Sequence, residues 1–454
     1  MRAMRTWWKE REGWFWAVGL ANLVLGTSSV LIPLLLSDVL RESVGALGIL
    51  ASSVSLAGVL GSLVWGRLSD AAHRRKPFVV ASYVISAGCL AGIALATSYV
   101  QLLVLNTVMN FFWVANASVT VLLVIENGKK ADWERKIGQL NQFGAVGWLL
   151  GLAFGTVVMA LGLSIAGPER AIRALFLAVS VMGLGAGLLA ARCIPRTVPV
   201  FVQRRFRGMF LAMGNFLTER ARFSPLHLYH RVRLRRVWNA LTRSGGFEPG
   251  TKRFLATTLL AFIGLGLFGI PLPLLLAERF DFSASIVFLL FMIQHAGIVA
   301  AYPVAARRIQ LRGNRKIHAA SLTTRLVLFL AASLYLAVSQ RPPHPVILLV
   351  AFVIYGITWS FFQLSGTALT TRLAKPANKG LALGLYNALA GVGWIIAGVI
   401  SGVVAEQVGY AASFGGAAVF VVLSLIMLRR IPKDGPEAVT SCEEPHEPSP
   451  ARAR

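Results

Sequence analysis

Apolar residues in this chain follow neither the alternation of a half-buried strand nor the stripe of a surface helix. They continue almost unbroken for long stretches and then give way to short charged segments. A helix that is apolar all round has no aqueous face, and crossing a bilayer takes roughly 20 such residues. Twelve runs qualify. The first six are about 14–36, 43–66, 78–97, 100–125, 138–163 and 171–191. The last six are about 254–276, 284–306, 317–338, 345–371, 380–404 and 408–428. The pattern predicts an all-α integral membrane protein with twelve transmembrane helices in two six-helix halves, 14–191 and 254–428. Segment 1–13, a polar loop over 192–253 and a tail over 429–454 lie outside them. Pro33 and Pro273 inside the runs fit, because membrane helices carry more proline than soluble ones. The first run is long and is not followed by a small-residue cleavage site, so it reads as a span and not as a cleaved signal.

Composition agrees. The 454 residues are 56% hydrophobic and 14% charged, against about 25% charged in ordinary soluble domains. Charge adds orientation. A net +26 would suggest nucleic acid in a soluble protein, but here the placement matters more. Arg41, Arg170, Arg173, Arg279 and Arg341 lie on one side, and Arg325 falls within the ninth run. The remaining 39 of the 45 Lys and Arg lie on the side that holds both chain ends. Positive residues stay inside, so both termini and the central loop are expected in the cytoplasm, with the protein multi-pass in a plasma or cell inner membrane.

The central loop holds 14 of those basic residues. Its segment FVQRRFRGMFLAMGNFLTERARF, 201–223, mixes Phe, Met and Leu with Arg at helical spacing. It reads either as an amphipathic helix on anionic lipid headgroups, with contacts over 201–236, or as a linker whose charges only set orientation. From Lys433 the tail is polar and Pro-rich, and disorder is expected. Cys89, Cys193 and Cys442 are too far apart for a metal-ligand spacing and imply no disulfide framework.

The chain is also written twice. PLLLSD at Pro33–Asp38 returns as PLLLAE at Pro273–Glu278, 240 residues on. GRLSDAAHRRK at Gly66–Lys76 returns, more weakly, as ARRIQLRGNRK at Ala306–Lys316. Asn141, Val146, Gly147 and Trp148 recur as Asn387, Val392, Gly393 and Trp394, 246 residues on. Six helices followed by six in the same topology make two parallel halves about an axis along the membrane normal. On these residues the chain resembles the major facilitator superfamily, and the resemblance covers all twelve runs. Its most specific element is the loop after the second run, where that family reads Gly-x-Leu-x-Asp-Arg-x-Gly-Arg-Arg-Lys. Gly66, Leu68, Asp70, Arg74, Arg75 and Lys76 match, while Ala71 and His73 depart.

The resemblance implies a secondary transporter working by alternating access. It also implies a conformational latch of Gly66, Asp70, Arg74 and Arg75, with the Asp70 carboxylate facing the start of the eleventh helix near Gly380–Gly384. A carboxylate is well placed at a helix N-terminus and beside a guanidinium. The simpler reading, charges that only fix topology, explains Arg74 to Lys76 without needing an acid.

In that family helices 1, 4, 7 and 10 line a central cavity, with 2, 5, 8 and 11 at its sides. Polar residues deep in such helices are the site candidates, because unpaired polar groups in hydrocarbon are costly. Asn106, Asn110 and Trp113 share a face of the fourth run; Tyr355, Trp359 and Gln363 form a stripe on the tenth. Asn22, Gln294 and His295 add further groups, and Asn141 with Trp148 and Asn387 with Trp394 add a repeated face. The alternative for each is a residue that merely holds helices together. Glycines around the repeated face, Gly147 and Gly393 first, are expected to serve the moving interface between halves.

No Asp or Glu falls near the middle of a run, and the fourth carries amides instead of an arginine. A mid-membrane fixed charge is therefore not expected, and an uncharged ring-bearing or multi-hydroxyl solute fits better than a doubly charged one. Sugar, nucleoside, metabolite and drug-like solutes all stay open. His295 is the proton-coupling candidate, since its ordinary pKa is near neutrality. No nucleotide loop, paired carboxylate or metal cluster appears, so neither an enzyme nor a cofactor is expected, and a monomer suffices. A lipid-handling protein or a non-transporting sensor on the same scaffold is the alternative.

Overall fold

The computed structural model describes residues 12–72, 75–127, 133–194, 247–375 and 378–431. It contains twelve long helices among these residues: α1 Phe15–Val39, α2 Val44–Ala72, α3 Lys76–Ala94, α4 Tyr99–Asn127, α5 Trp133–Ala166 and α6 Pro168–Cys193 in the first half. The second half has α7 Pro249–Arg279, α8 Ala284–Arg312, α9 Asn314–Val338, α10 Pro345–Leu373, α11 Lys379–Gln407 and α12 Tyr410–Arg429. Eleven are long and apolar enough to cross a membrane, and α4, at 29 residues, also exceeds the length a bilayer demands. Several run a turn or so past the apolar stretch that announces them, ending in basic residues such as Arg312 and Arg429. The side on which α1 begins and α12 ends is called the near side below; the opposite side is the far side.

The duplication reaches the backbone. At the far ends of α1 and α7 the helix loosens into one π-type turn, Leu35–Val39 and Leu275–Arg279. The same main-chain bonds close both: Leu40 donates to Leu35 and Glu42 to Leu36, while Phe280 donates to Leu275 and Phe282 to Leu276. Each is followed by a non-glycine residue at positive φ, Arg41 at 53° and Asp281 at 52°. Such residues are uncommon, so their recurrence at the repeat offset marks two copies of one fold. Packing repeats as well: α1 against α5 matches α7 against α11, and α3 against α6 matches α9 against α12.

Glycine allows the closest of these contacts. A Cβ on Gly147 would stand 2.1 Å from the carbonyl oxygen of Gly19 in α1, and one on Gly151 would stand 2.1 Å from that of Leu23. Gly393 meets Phe262 and Leu259 of α7. These glycines seal α5 to α1 and α11 to α7 within each half, so the expectation that Gly147 and Gly393 serve the moving interface is corrected. The reason is that α5 and α11 each face their own half along the near part of their length. Overpacking such a contact costs about 1–3 kcal/mol. Gly147→Ala should therefore lower the melting temperature of the purified protein, and an unchanged melting curve would show that α5 and α1 separate freely.

The halves meet elsewhere. A Cβ on Gly48 of α2 would lie 2.2 Å from the Gly398 carbonyl oxygen and 2.8 Å from the Gly402 Cα, both in α11. A Cβ on Gly155 of α5 would run into the Phe288 ring of α8. Ser52 Oγ donates to the Ile395 carbonyl across the same α2–α11 seam at 2.8 Å. The two π-turns, Leu35–Val39 and Leu275–Arg279, also touch. All of these lie in the middle or far part of the molecule, so the structure is a far-side-closed conformation.

Candidate functional site

Between the halves lies a cavity of about 290 Å³. Its walls come from α1, α2, α4 and α5 on one side and α7, α8, α10 and α11 on the other. Asn106, Asn110, Trp148, Gln294, His295, Tyr355 and Trp394 line it. The Asn110 amide donates to the Asn106 side-chain oxygen at 3.0 Å and to the Asn106 carbonyl at 2.8 Å, which fixes the pair as one acceptor–donor edge. Trp148 and His295 stack across the boundary between halves, centroids 5.7 Å apart and planes 15° from parallel. Trp394, the repeat partner of Trp148, lies against Gly266 and Gly269 of α7. The two tryptophans of the repeated phrase thus face one cavity from opposite halves.

The other candidates are elsewhere. Asn22 spends its amide on its own helix, donating to Val18 O at 2.8 Å, and sits against Gly144. Trp113 is buried in the first half with Tyr83, centroids 5.8 Å apart. Trp359 packs edge-on to Phe262, and Gln363 is buried beside it in α10, so of that stripe only Tyr355 reaches the cavity. Asn141 and Asn387 are buried away from the cavity, and the Asn141 Nδ2 has no hydrogen-bond acceptor among the described residues. Most of the latch lies outside what the structure describes, since the burial of Gly66, the side chain of Asp70 and all of Arg74 fall there, while Arg75 is buried just before α3. The amphipathic segment 201–223 and the tail beyond 431 also lie outside the described residues.

One expectation is overturned. Arg325 in α9 is fully buried, a fixed charge mid-membrane. Its guanidinium carbon lies 4.7 Å from the centroid of the Tyr355 ring and 5.4 Å from that of Trp359, and Nη2 donates to the Tyr355 carbonyl at 3.0 Å. Two aromatic faces and a carbonyl replace part of the water that a buried cation loses. Tyr355 is the wall between this cation and the cavity, so a positive charge stands one layer behind the site. Sequence reasoning registered Arg325 inside a run but gave it no place in the site; a lone arginine amid apolar residues was the signal. Ser28, Ser29 and Ser55 also line the cavity and were missed, because serines bonded to their own helix, as Ser28 and Ser29 are, look like ordinary membrane residues.

The sequence pattern of the Major Facilitator Superfamily matches residues 14–247 and 254–453. The chain belongs to that superfamily. It is therefore a membrane transporter by family and not an enzyme. No curated protein matches it in sequence. Solved structures share the fold at low identity. A variant of the nucleoside transporter NupG superposes with a TM-score of 0.69 at 15% identity, covering 93% of this chain and 99% of that one. The human organic anion transporter MFSD10 (TETRAN) gives 0.57 at 18%, covering 92% and 98%. An auto-inhibited peptide transporter of the POT family gives 0.64 at 13%, covering 93% and 98%. These neighbours are named for different solutes, and what the superfamily transporter shares with them is the fold.

Proposed function

We propose that this superfamily transporter moves a small uncharged organic solute, one combining a flat ring with hydrogen-bonding groups, by alternating access about the cavity between its halves. The observation that carries this is the pairing of Trp148 and Trp394 on one cavity that Asn106, Asn110 and Gln294 also line. Aromatic faces bind rings, and a few fixed polar groups set orientation. Among the described residues no carboxylate lines the cavity, and Arg325 stands behind Tyr355, which disfavours a cationic solute. Nucleosides fit this description, and NupG, named as a nucleoside transporter, supports the fold in which such a site is built. His295, stacked on Trp148, is the group through which protons would couple, and the clustering of Lys and Arg on one side supports a cytoplasmic position for both termini.

A thermal-shift screen of the purified protein with nucleosides, sugars, organic anions and organic cations tests this reading. A ligand present at 100 times its Kd stabilises the folded state by about 2.7 kcal/mol. Nucleosides are expected to raise the melting temperature and organic cations to leave it unchanged. The reverse ranking, or a response to phospholipid alone, would replace this reading with a cation carrier or a lipid-handling protein. Uptake into vesicles with and without a pH gradient then decides whether His295 has a coupling role, since uptake indifferent to the gradient removes it.

A further inference from the structure

Proline supplies a feature of the cavity that side chains do not. Pro33 in α1 and Pro273 in α7 occupy equivalent positions of the repeat. A proline has no N–H, so the carbonyl four residues earlier loses its helical donor. Those carbonyls belong to Ser29 and Gly269, again 240 residues apart, and both residues line the cavity. Other freed carbonyls are treated in two ways. Pro303 in α8 leaves that of Val299, away from the cavity, with no side-chain donor among the described residues. In α7, Pro271 frees the Leu267 carbonyl, and Ser413 Oγ of α12 fills it at 2.8 Å. Among the described residues no side-chain donor reaches the carbonyls of Ser29 or Gly269. The Tyr355 hydroxyl sits over Gly269, where an added Cβ would come within 3.0 Å of it. Ser29 is exposed and Gly269 half-buried, and irregular backbone at membrane depth is tolerated where it lines a cavity, whose free carbonyls can accept from a ligand.

We propose that the main-chain carbonyls of Ser29 and Gly269 are solute-binding acceptors, one from each half, taking hydroxyl or N–H groups of the transported solute. This rests on the reading of the cavity as a site for an uncharged, ring-bearing solute. It deepens that reading by naming the class: a solute with donor groups at two separated places, such as the hydroxyls of a sugar ring on one side and the N–H edge of a base on the other. Carbonyls can also hold a monovalent cation. Here no acid among the described residues lines the cavity to neutralise one, and the Arg325 guanidinium lies behind its wall. A neutral donor is the better occupant. The repeat symmetry gives the arrangement a use in transport, because each half keeps one hold on the solute while the other moves.

The test compares binding of uridine and 2′,3′-dideoxyuridine to the full-length protein in detergent, by isothermal titration, in sodium and in choline buffers. The native protein is expected to bind uridine roughly tenfold more tightly than the analogue lacking the 2′- and 3′-hydroxyls, with no dependence on sodium. Pro33→Ala and Pro273→Ala each return an amide N–H to the opposing carbonyl. Each is expected to weaken uridine roughly threefold to tenfold and to shrink the preference over the dideoxy analogue. Native protein that binds both nucleosides alike overturns the assignment while leaving the ring-binding reading intact. Native protein that binds neither overturns both. Binding that requires sodium and ignores the hydroxyls puts a cation at the carbonyls instead. If a proline variant fails to fold, the comparison of the two ligands on the native protein still decides.

Discussion

Replacing Gly48 with leucine is expected to hold the transporter open on its far side. In the structure α2 and α11 touch backbone to backbone at this level, and a Cβ on Gly48 has 2.2 Å to the Gly398 carbonyl oxygen. A leucine cannot fit while the halves stay together there. Separation of the halves relieves the clash, whereas the packing inside each half is untouched. Overpacking of this kind is worth about 1–3 kcal/mol, and each 1.4 kcal/mol changes a population ratio tenfold. Two conformers a few kcal/mol apart are thus tipped from one to the other. Far-side labelling reads the shift without knowledge of the solute. In a background with Cys89, Cys193 and Cys442 replaced by alanine, Ser29→Cys puts a thiol in the cavity wall. A membrane-impermeant maleimide added from the far side should label it faster when Gly48→Leu is present. Equal labelling would mean that the α2–α11 seam is not the far gate.

The contrast between Gly48 and Gly147 shows where sequence reasoning succeeds in this protein and where it stops. The spans were legible because burial in lipid demands long apolar runs. The repeat was legible because two copies keep their punctuation, Pro33 with Pro273 and Trp148 with Trp394. Which neighbour a glycine meets was not. Helical periodicity gives direction around an axis, yet at one level that direction holds a cavity and a few turns on it holds another helix. Asn106, Asn110 and Trp113 share a face, but Tyr83 stands where Trp113 points. Tyr355, Trp359 and Gln363 drift around α10, and the aromatic residues Phe262 and Phe362 cover the later part of that stripe. The π-turns at Leu35–Val39 and Leu275–Arg279 left no mark beyond the repeated Pro-Leu-Leu-Leu. Arg325 needed the structure because its compensation comes from two rings and a carbonyl of α10, which no spacing within α9 reveals.

Alanine at Trp148 or at Trp394 is expected to remove most of the transport activity. Each indole offers the cavity a large rigid face, and truncating such an aromatic at a binding site costs about 2 kcal/mol or more, roughly thirtyfold in affinity. At Trp148 the stack with His295 is lost as well, so the two halves lose a contact at the level of the solute. The repeat makes the two losses comparable in size, since the residues are equivalent copies facing one cavity. Asn22→Ala provides the control: its amide is bonded to its own helix and it does not line the cavity.

The central claim, that the solute is held between the halves by the two repeated tryptophans, is tested most directly by solute uptake into proteoliposomes. The solute is the one that stabilises the protein best in the thermal screen. Native protein and the Trp148→Ala, Trp394→Ala and Asn22→Ala variants are compared at matched amounts of folded protein. Uptake near the native rate for Asn22→Ala, with both tryptophan variants reduced at least tenfold, is the result this account predicts. Near-native uptake by either tryptophan variant, or a loss confined to Asn22→Ala, would contradict it.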